Sequence, residues 1–235
     1  MHEFANDELV TKMQRAGKGE FTHHALIKSG FYILSGKRLF DVGMATIGLA
    51  VLSPLFLLVT VAIKLSSRGP IFYRQERVGK NGQSFLIMKF RTMVRDADKV
   101  GPGVTAQGDP RVTKLGSWLR LFKIDELPQL WNVLKGDMSF VGPRPEIPHY
   151  VAIYTESQRR VLTVRPGITD TATLAYRREE DLIARHPNPE KYYRDVVLPH
   201  KLELNMQYIY RISFGYDLFL IFRTIQSIFG LRQKI

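Results

Sequence analysis

Two adjacent carboxylates, Asp125 and Glu126, sit inside the stretch Arg120-Leu121-Phe122-Lys123-Ile124-Asp125-Glu126-Leu127-Pro128. Paired carboxylates can hold Mg²⁺, a hard ion that also binds diphosphate oxygens. Arg120, Lys123 and Arg144 could add cationic donors for a phosphate, and a following helix would offer its N-terminal N–H groups. The helix dipole supplies only about 0.3–1 kcal/mol, against the roughly 8 kcal/mol or more that enzymatic acceleration needs. Metal and arginine would have to supply the remainder. The same residues have a simpler reading, in which Asp125 is an acidic N-cap worth about 1 kcal/mol, with Pro128 in the first turn. Taken alone, the stretch favours the cap.

Other chemistries find less support. The chain has no cysteine, which excludes disulfides, thiolate metal sites and a cysteine nucleophile. Its histidines (His2, His23, His24, His149, His186 and His200) lack zinc-ligand spacing. No nucleophile elbow or dinucleotide fingerprint occurs, and Gly79-Lys80 has the wrong spacing for a phosphate loop and reads as a turn.

A formal net charge of +12 attracts nucleic acid, anionic lipid or phosphorylated substrates. The element that chooses among these runs from Val42 to Ile63 without a charged residue. As a helix it would reach roughly 33 Å, close to the hydrocarbon thickness of a bilayer. Inserting its Leu, Ile, Val and Phe side chains would gain on the order of 4–7 kcal/mol. Each basic residue at an anionic surface contributes only about 1 kcal/mol, so insertion dominates and charge orients. Ser53-Pro54 lies at the midpoint, where proline removes a backbone donor and the Ser53 hydroxyl can satisfy a freed carbonyl. Lys37 and Arg38 precede the run, and Lys64, Arg68, Arg74 and Arg77 follow it. Positive flanks on both sides favour one membrane face. A re-entrant helix and a single-pass helix with a proline kink both fit these residues.

The remaining chain reads as one globular α+β unit, mostly helical, with no internal repeat. The expected organisation is a leader (1–35), a membrane helix-break-helix (36–66) and a catalytic domain (67–235). Strands over Ile71–Arg77 and Ser84–Met93 form a hairpin across Asn81-Gly82. A Gly/Pro-rich loop follows over Gly101–Pro110. Leu115, Trp118, Leu119 and Phe122, then Leu127, Leu130, Trp131 and Leu134, recur at helical spacing and read as core stripes, with Gly136 as a stop. Val141–Pro145 is a rigid extended loop. Further helices are expected over Pro148–Leu162, Glu179–Arg185 and Lys201–Arg211. Leu218, Phe219, Phe222, Ile225, Ile228 and Phe229 form an apolar face beside Arg223, Arg232 and Lys234, which fits an interfacial helix or a core-packing one.

Read together, these segments resemble the bacterial sugar transferase family, the monotopic polyprenyl-phosphate phosphoglycosyl transferases, over about residues 36–230. The likeness rests on Lys37-Arg38 with Asp41, Ser53-Pro54, Gly69-Pro70 before Gln75, Arg77 and Gly79, Lys89-Phe90-Arg91-Thr92-Met93 and Asp109-Pro110-Arg111. It continues through Asp125-Glu126-Leu127-Pro128-Gln129-Leu130, Lys135-Gly136-Asp137-Met138-Ser139, Gly142-Pro143-Arg144-Pro145 and Arg165-Pro166-Gly167-Ile168-Thr169, in the family's order.

The resemblance implies a re-entrant helix broken at Ser53-Pro54, at the cytoplasmic face of the bacterial inner membrane. It also reverses the cap reading. Asp125 becomes the nucleophile and Glu126 its dyad partner, the two holding Mg²⁺. A UDP-sugar would yield UMP and an aspartyl phosphosugar, which polyprenyl (undecaprenyl) phosphate then attacks, as the first membrane step of polysaccharide or glycoconjugate synthesis. Arg120 and Arg144 would neutralise phosphate oxygens. Lys89 and Arg91 are expected as phosphate or nucleotide contacts, with a structural role at the strand end as the alternative, while Lys37, Arg38 and Asp41 anchor the membrane entry. The likeness is to the compact catalytic core, with no additional amino-terminal membrane domain expected. Membrane lipid is an expected partner and nucleic acid is not; a homo-oligomer is compatible. One departure stands out: Asp170-Thr171-Ala172 follows Thr169 in place of the Gly-Leu-Trp common in hexose-phosphate members, which leaves the sugar open. The rival readings are a lipid-dependent glycosyltransferase that releases UDP, and a non-catalytic basic membrane scaffold.

Overall fold

The computed structural model describes residues 32–97, 109–177, 179–184, 186–228 and 230. Most of the leader, the loop over 101–108, and Arg185, Phe229, Arg232 and Lys234 lie outside them.

After a wide helical turn at Tyr32–Gly36, helix α1 runs from Lys37 to Ser66. The helix-break-helix expected around Ser53-Pro54 takes the form of one helical element, α1, with Pro54 inside it. The reason is local. Pro54 lacks the N–H that would have reached the Ala50 carbonyl, and the Ser53 hydroxyl donates to that same carbonyl at 2.8 Å. Asp41, Ala45, Val59 and Ile63 are buried, while Val51 is 70% and Leu58 68% exposed. A helix with that much bare aliphatic surface is no soluble core helix.

Strands β1 (Phe72–Val78) and β2 (Ser84–Phe90) pair antiparallel, with Phe72 opposite Phe90 and Val78 opposite Ser84. Asn81 and Gly82 take φ of 57° and 77° at the turn, the left-handed geometry that Asn-Gly favours. The second strand ends at Phe90, three residues earlier than its apolar pattern suggests; Met93 keeps only an isolated bridge to Val112.

Helices α2 (Lys114–Leu121) and α3 (Gln129–Lys135) flank the dyad, and β3 (Ser139–Val141) follows. The Pro148–Leu162 helix is shorter than expected: α4 covers only Pro148–Ala152, and a separate turn spans Gln158–Thr163. Thr155 and Gln158 exchange side-chain bonds with each other's backbone N–H groups, at 3.3 and 2.9 Å. That reciprocal cap starts a new turn and stops the first. Strand β4 (Gly167–Thr169) then pairs parallel with β3, Ser139 beside Gly167 and Val141 beside Thr169. The chain closes with α5 (Thr171–Ala175), α6 (Glu179–Ala184), α7 (Pro189–Tyr192), α8 (Leu198–Ile209) and α9 (Phe214–Ile228). The described residues are mostly helical α+β, with two small sheets among them.

Both halves of α1 sit on this body. Ala45 packs with Ile87, Val133 and Met138; Val59 and Ile63 pack with Phe90 and Leu119. Buried side chains as large as Val59, Ile63 and Phe90 stabilise by roughly 1.5–3 kcal/mol each, and the Ala45 methyl by less. The reading of the α2 and α3 aromatics as core is corrected. Leu119, Leu130 and Val133 are buried, but Trp118 and Trp131 are about half exposed, with Trp118 and Phe122 in ring contact at 5.1 Å. Helix α9 divides its faces: Asp217 and Leu220 are buried, while Phe219, Phe222 and Ile225 are exposed.

Candidate active site

Helix α2 ends at Leu121, and Lys123 reverses the chain at φ 56°, a left-handed conformation costing a non-glycine residue roughly 1–2 kcal/mol. One tight turn, Ile124–Glu126, follows, closed by Glu126 N–H to the Lys123 carbonyl and Leu127 N–H to that of Ile124, both at 3.2 Å. The dyad therefore belongs to its own turn and not to α3. That helix begins at Gln129 after Pro128, has no side-chain cap, and is only seven residues long. Asp125 is not its cap, and the expected phosphate seat on a helix N-terminus gives way to charged side chains.

Those side chains converge on Glu126. Its Oε1 receives Lys89 Nζ at 2.9 Å and Arg144 Nη2 at 2.6 Å, and its Oε2 receives Arg144 Nη1 at 3.4 Å. Lys89 comes from β2, and Arg144 from the extended segment after β3. A forked guanidinium on a carboxylate fixes both direction and distance. Asp125 is buried as well, yet its Oδ1 has no hydrogen-bond partner.

The environments drive the two carboxyls apart. Burial and the neighbouring Glu126 charge raise Asp125, with Lys89, Lys123 and Arg120 opposing. Burial alone would raise Glu126 too, but Arg144, Lys89 and Lys123 outweigh it and hold the group well below the carboxylate range. Glu126 in turn pushes the Arg144 guanidinium up, whereas burial lowers Lys89 against the pull of Glu126. One carboxylate is thus clamped and ionised, and the other is more basic and open at one oxygen. Such divergent pairs mark acid–base and nucleophilic roles.

Of the other expected contacts, Arg120 places Nε 2.9 Å from the Thr92 hydroxyl, and its charge acts on Asp125. Arg91 is not brought to the dyad. Its guanidinium donates to the Ser67 and Arg68 carbonyls at 2.8 and 3.0 Å and to the Ser67 hydroxyl at 2.9 Å, closing the end of α1. Those bonds give Arg91 a structural role at the end of α1. Arg38 donates to the Val133 and Leu134 carbonyls at 2.6 and 2.8 Å, and Asp41 accepts from Phe140 N–H at 3.0 Å, so both tie the start of α1 to the body beneath it.

Among the described residues no group of three or more His, Asp or Glu could hold a metal. Glu126 faces two cations, so of the two carboxyls the one that could hold Mg²⁺ is Asp125, through its buried, unpartnered Oδ1. A single carboxylate suits an ion that takes its other ligands from water and substrate phosphates.

Three residues to which sequence reasoning gave no role at the site support it. Asn132, buried in α3, accepts from Met88 N–H at 3.0 Å and donates to the Leu86 carbonyl at 2.8 Å, stitching α3 to β2. Asp217 accepts from the Tyr32 and Tyr208 hydroxyls, each at 2.7 Å, and from Lys37. Asp170 accepts from Arg144 N–H at 2.9 Å. A polar residue within an otherwise apolar helical stripe was the available signal for Asn132 and Asp217.

The chain matches the bacterial sugar transferase family model over residues 32–230 and belongs to that family. It is an enzyme of the sugar-phosphate transferase class. Exopolysaccharide production protein ExoY of Sinorhizobium fredii is 37% identical over 207 residues, 82% of this chain and 84% of that protein. UDP-glucose:undecaprenyl-phosphate glucose-1-phosphate transferase of Escherichia coli is 38% identical over 198 residues, 80% of this chain and 39% of its own length. UDP-N-acetylgalactosamine-undecaprenyl-phosphate N-acetylgalactosaminephosphotransferase of Aeromonas hydrophila is 38% identical over 204 residues, 83% and 45% of the two chains.

Proposed function

We propose that this enzyme transfers a sugar-1-phosphate from a UDP-sugar to undecaprenyl phosphate through a phosphosugar bonded to Asp125, releasing UMP. The observation that carries the reading is the buried, unpartnered Asp125 oxygen beside a Glu126 already neutralised by Lys89 and Arg144. The relatives named for undecaprenyl-phosphate transfer support the substrate classes.

A carboxylate oxygen of Asp125 attacks the phosphorus that bears the sugar. The bond from that phosphorus to the UMP oxygen breaks, and UMP leaves with the electron pair. An oxygen of undecaprenyl phosphate then attacks the same phosphorus and expels the Asp125 carboxylate, which the raised basicity of the free group makes a competent nucleophile again. Arg144 and Lys89 hold Glu126 still and place positive charge where phosphate oxygens gather. Mg²⁺ held with help from Asp125 would supply further neutralisation of the diphosphate.

The reading of α1 as re-entrant at the cytoplasmic face belongs to the same proposal. Arg38 near its start and Ile63 near its end both rest on the catalytic body, basic residues flank both ends, and the middle exposes aliphatic side chains. A straight crossing at about 1.5 Å per residue would carry the second half away from that body.

The decisive test is intact-mass analysis of purified enzyme given UDP-glucose or UDP-N-acetylgalactosamine without lipid acceptor. A hexose- or N-acetylhexosamine-phosphate adduct mapping to Asp125, with UMP in solution, is the expected result. UDP as the released nucleotide would refute the mechanism.

A further inference from the structure

We propose that Asp170 is a positioning residue for the transfer, holding the main chain of Arg144 so that its guanidinium stays on Glu126; this rests on the site reading above. In Pro143-Arg144-Pro145 neither proline has an N–H, so Arg144 owns the only one, and Asp170 Oδ2 takes it at 2.9 Å. The neighbouring segment is already laced to β4. Gly142 N–H reaches the Thr169 carbonyl and Gly167 N–H reaches the Pro143 carbonyl, both at 3.0 Å. The backbones touch so closely that a Cβ on Gly167 would lie 2.1 Å from the Gly142 nitrogen. Asp170 extends this lacing by one step, to the residue that carries the guanidinium.

Its other oxygen, Oδ1, accepts Thr173 N–H and caps α5. A cap alone needs one acceptor, which Ser or Asn provides without burying a charge. Asp170 is fully buried, and an ionised carboxylate in such a place is costly unless its oxygens are engaged. The two N–H donors, on two elements, reach different oxygens, and a carboxylate offers two acceptor oxygens where an amide offers one. Its negative charge also adds to that of Glu126 in favouring the charged Arg144.

The test uses the full chain, purified in detergent, with UDP-glucose and UDP-N-acetylgalactosamine as donors and undecaprenyl phosphate as acceptor. UMP release before lipid addition, kcat, KM and thermal melts are compared for Asp170→Asn, Asp170→Ala, Arg144→Lys and the Asp170→Ala/Arg144→Lys double variant. Misplacing a positioning arginine should slow UMP release per folded enzyme by about 10–100-fold in Asp170→Ala, with a raised KM for the UDP-sugar. Asp170→Asn, which keeps one acceptor, should recover part of this. In the Arg144→Lys background the Ala change should cost less than about threefold more, because both act through one group. A lower melting point with unchanged kinetics of the folded enzyme, or losses that multiply in the double variant, would overturn the proposal. Normal turnover by Arg144→Lys alone would show instead that the reading of the site itself has failed, and the positioning role with it.

Discussion

Arg144 grips Glu126 with both terminal nitrogens, Nη2 at 2.6 Å from Oε1 and Nη1 at 3.4 Å from Oε2, and Lys89 meets the same Oε1 at 2.9 Å. Two cations on one carboxylate leave a net positive charge beside Asp125. Glu126 is therefore the hinge of the site's electrostatics.

Glu126→Gln removes the anion and leaves Arg144 and Lys89 mutually repelling in a largely buried place. Breaking a buried pair from one side costs about 3–5 kcal/mol, moderated here by the partial exposure of the two cations. We expect a lower melting temperature and turnover reduced on the order of 10²-fold as Arg144 loses its fix. Thermal melts and UMP release, measured side by side, check both.

Asp125→Asn separates chemistry from stability. The amide cannot form the phosphosugar bond, so turnover should fall by at least about 10³-fold and the mass adduct should vanish. Stability should hold or rise, since a buried carboxylate with an unpartnered oxygen is replaced by a neutral group of the same shape. A helix cap would predict the opposite, tolerated activity with little change elsewhere.

The two carboxyls give opposite pH dependences. Glu126 is held below its ordinary value of 4.5, so the folded state stays ionised where the unfolded chain is protonated. Its stabilisation is present above pH 4.5 and is lost as pH falls through the lower folded value. Asp125 is raised above 3.8, so its contribution is present below pH 3.8 and is lost as pH rises through the folded value. The melting-temperature gap between the wild type and Glu126→Gln should therefore narrow as pH drops below 4.5. Under the proposed mechanism only ionised Asp125 attacks, so the acid limb of UMP release should lie above pH 3.8.

The sequence made the hairpin legible because Asn81-Gly82 has few other uses, and it made α1 legible because soluble helices rarely run so long without a charge. Ser53 compensating Pro54 followed from the two residue types alone. What stayed hidden depends on distance in the chain. Lys89 and Arg144 meet at Glu126 only because β2 and the segment after β3 fold to one side of the dyad, and no spacing encodes that. Arg91, two residues from Lys89 and equally basic, reaches the end of α1 instead. Periodicity also misjudged Trp118 and Trp131: their positions fit a core stripe, but their side of α2 and α3 is left bare. An apolar stripe specifies a face; it does not say whether protein or lipid covers it.

Ser53 matters because Pro54 orphans the Ala50 carbonyl, so the two residues should be coupled. Ser53→Ala leaves that carbonyl unsatisfied, at a cost of about 1–3 kcal/mol, more where no water reaches it. Pro54→Ala restores the N–H to the same carbonyl, and Ser53→Ala in that background should cost little. Melting temperatures of the four proteins close this cycle. The absence of native cysteine gives a clean reading of topology. Ser35→Cys and Ser66→Cys, both exposed and at opposite ends of α1, should label with an impermeant maleimide from the cytoplasmic side alone when Pro54 is present. Labelling of the two from opposite sides would establish a crossing helix and remove the re-entrant reading.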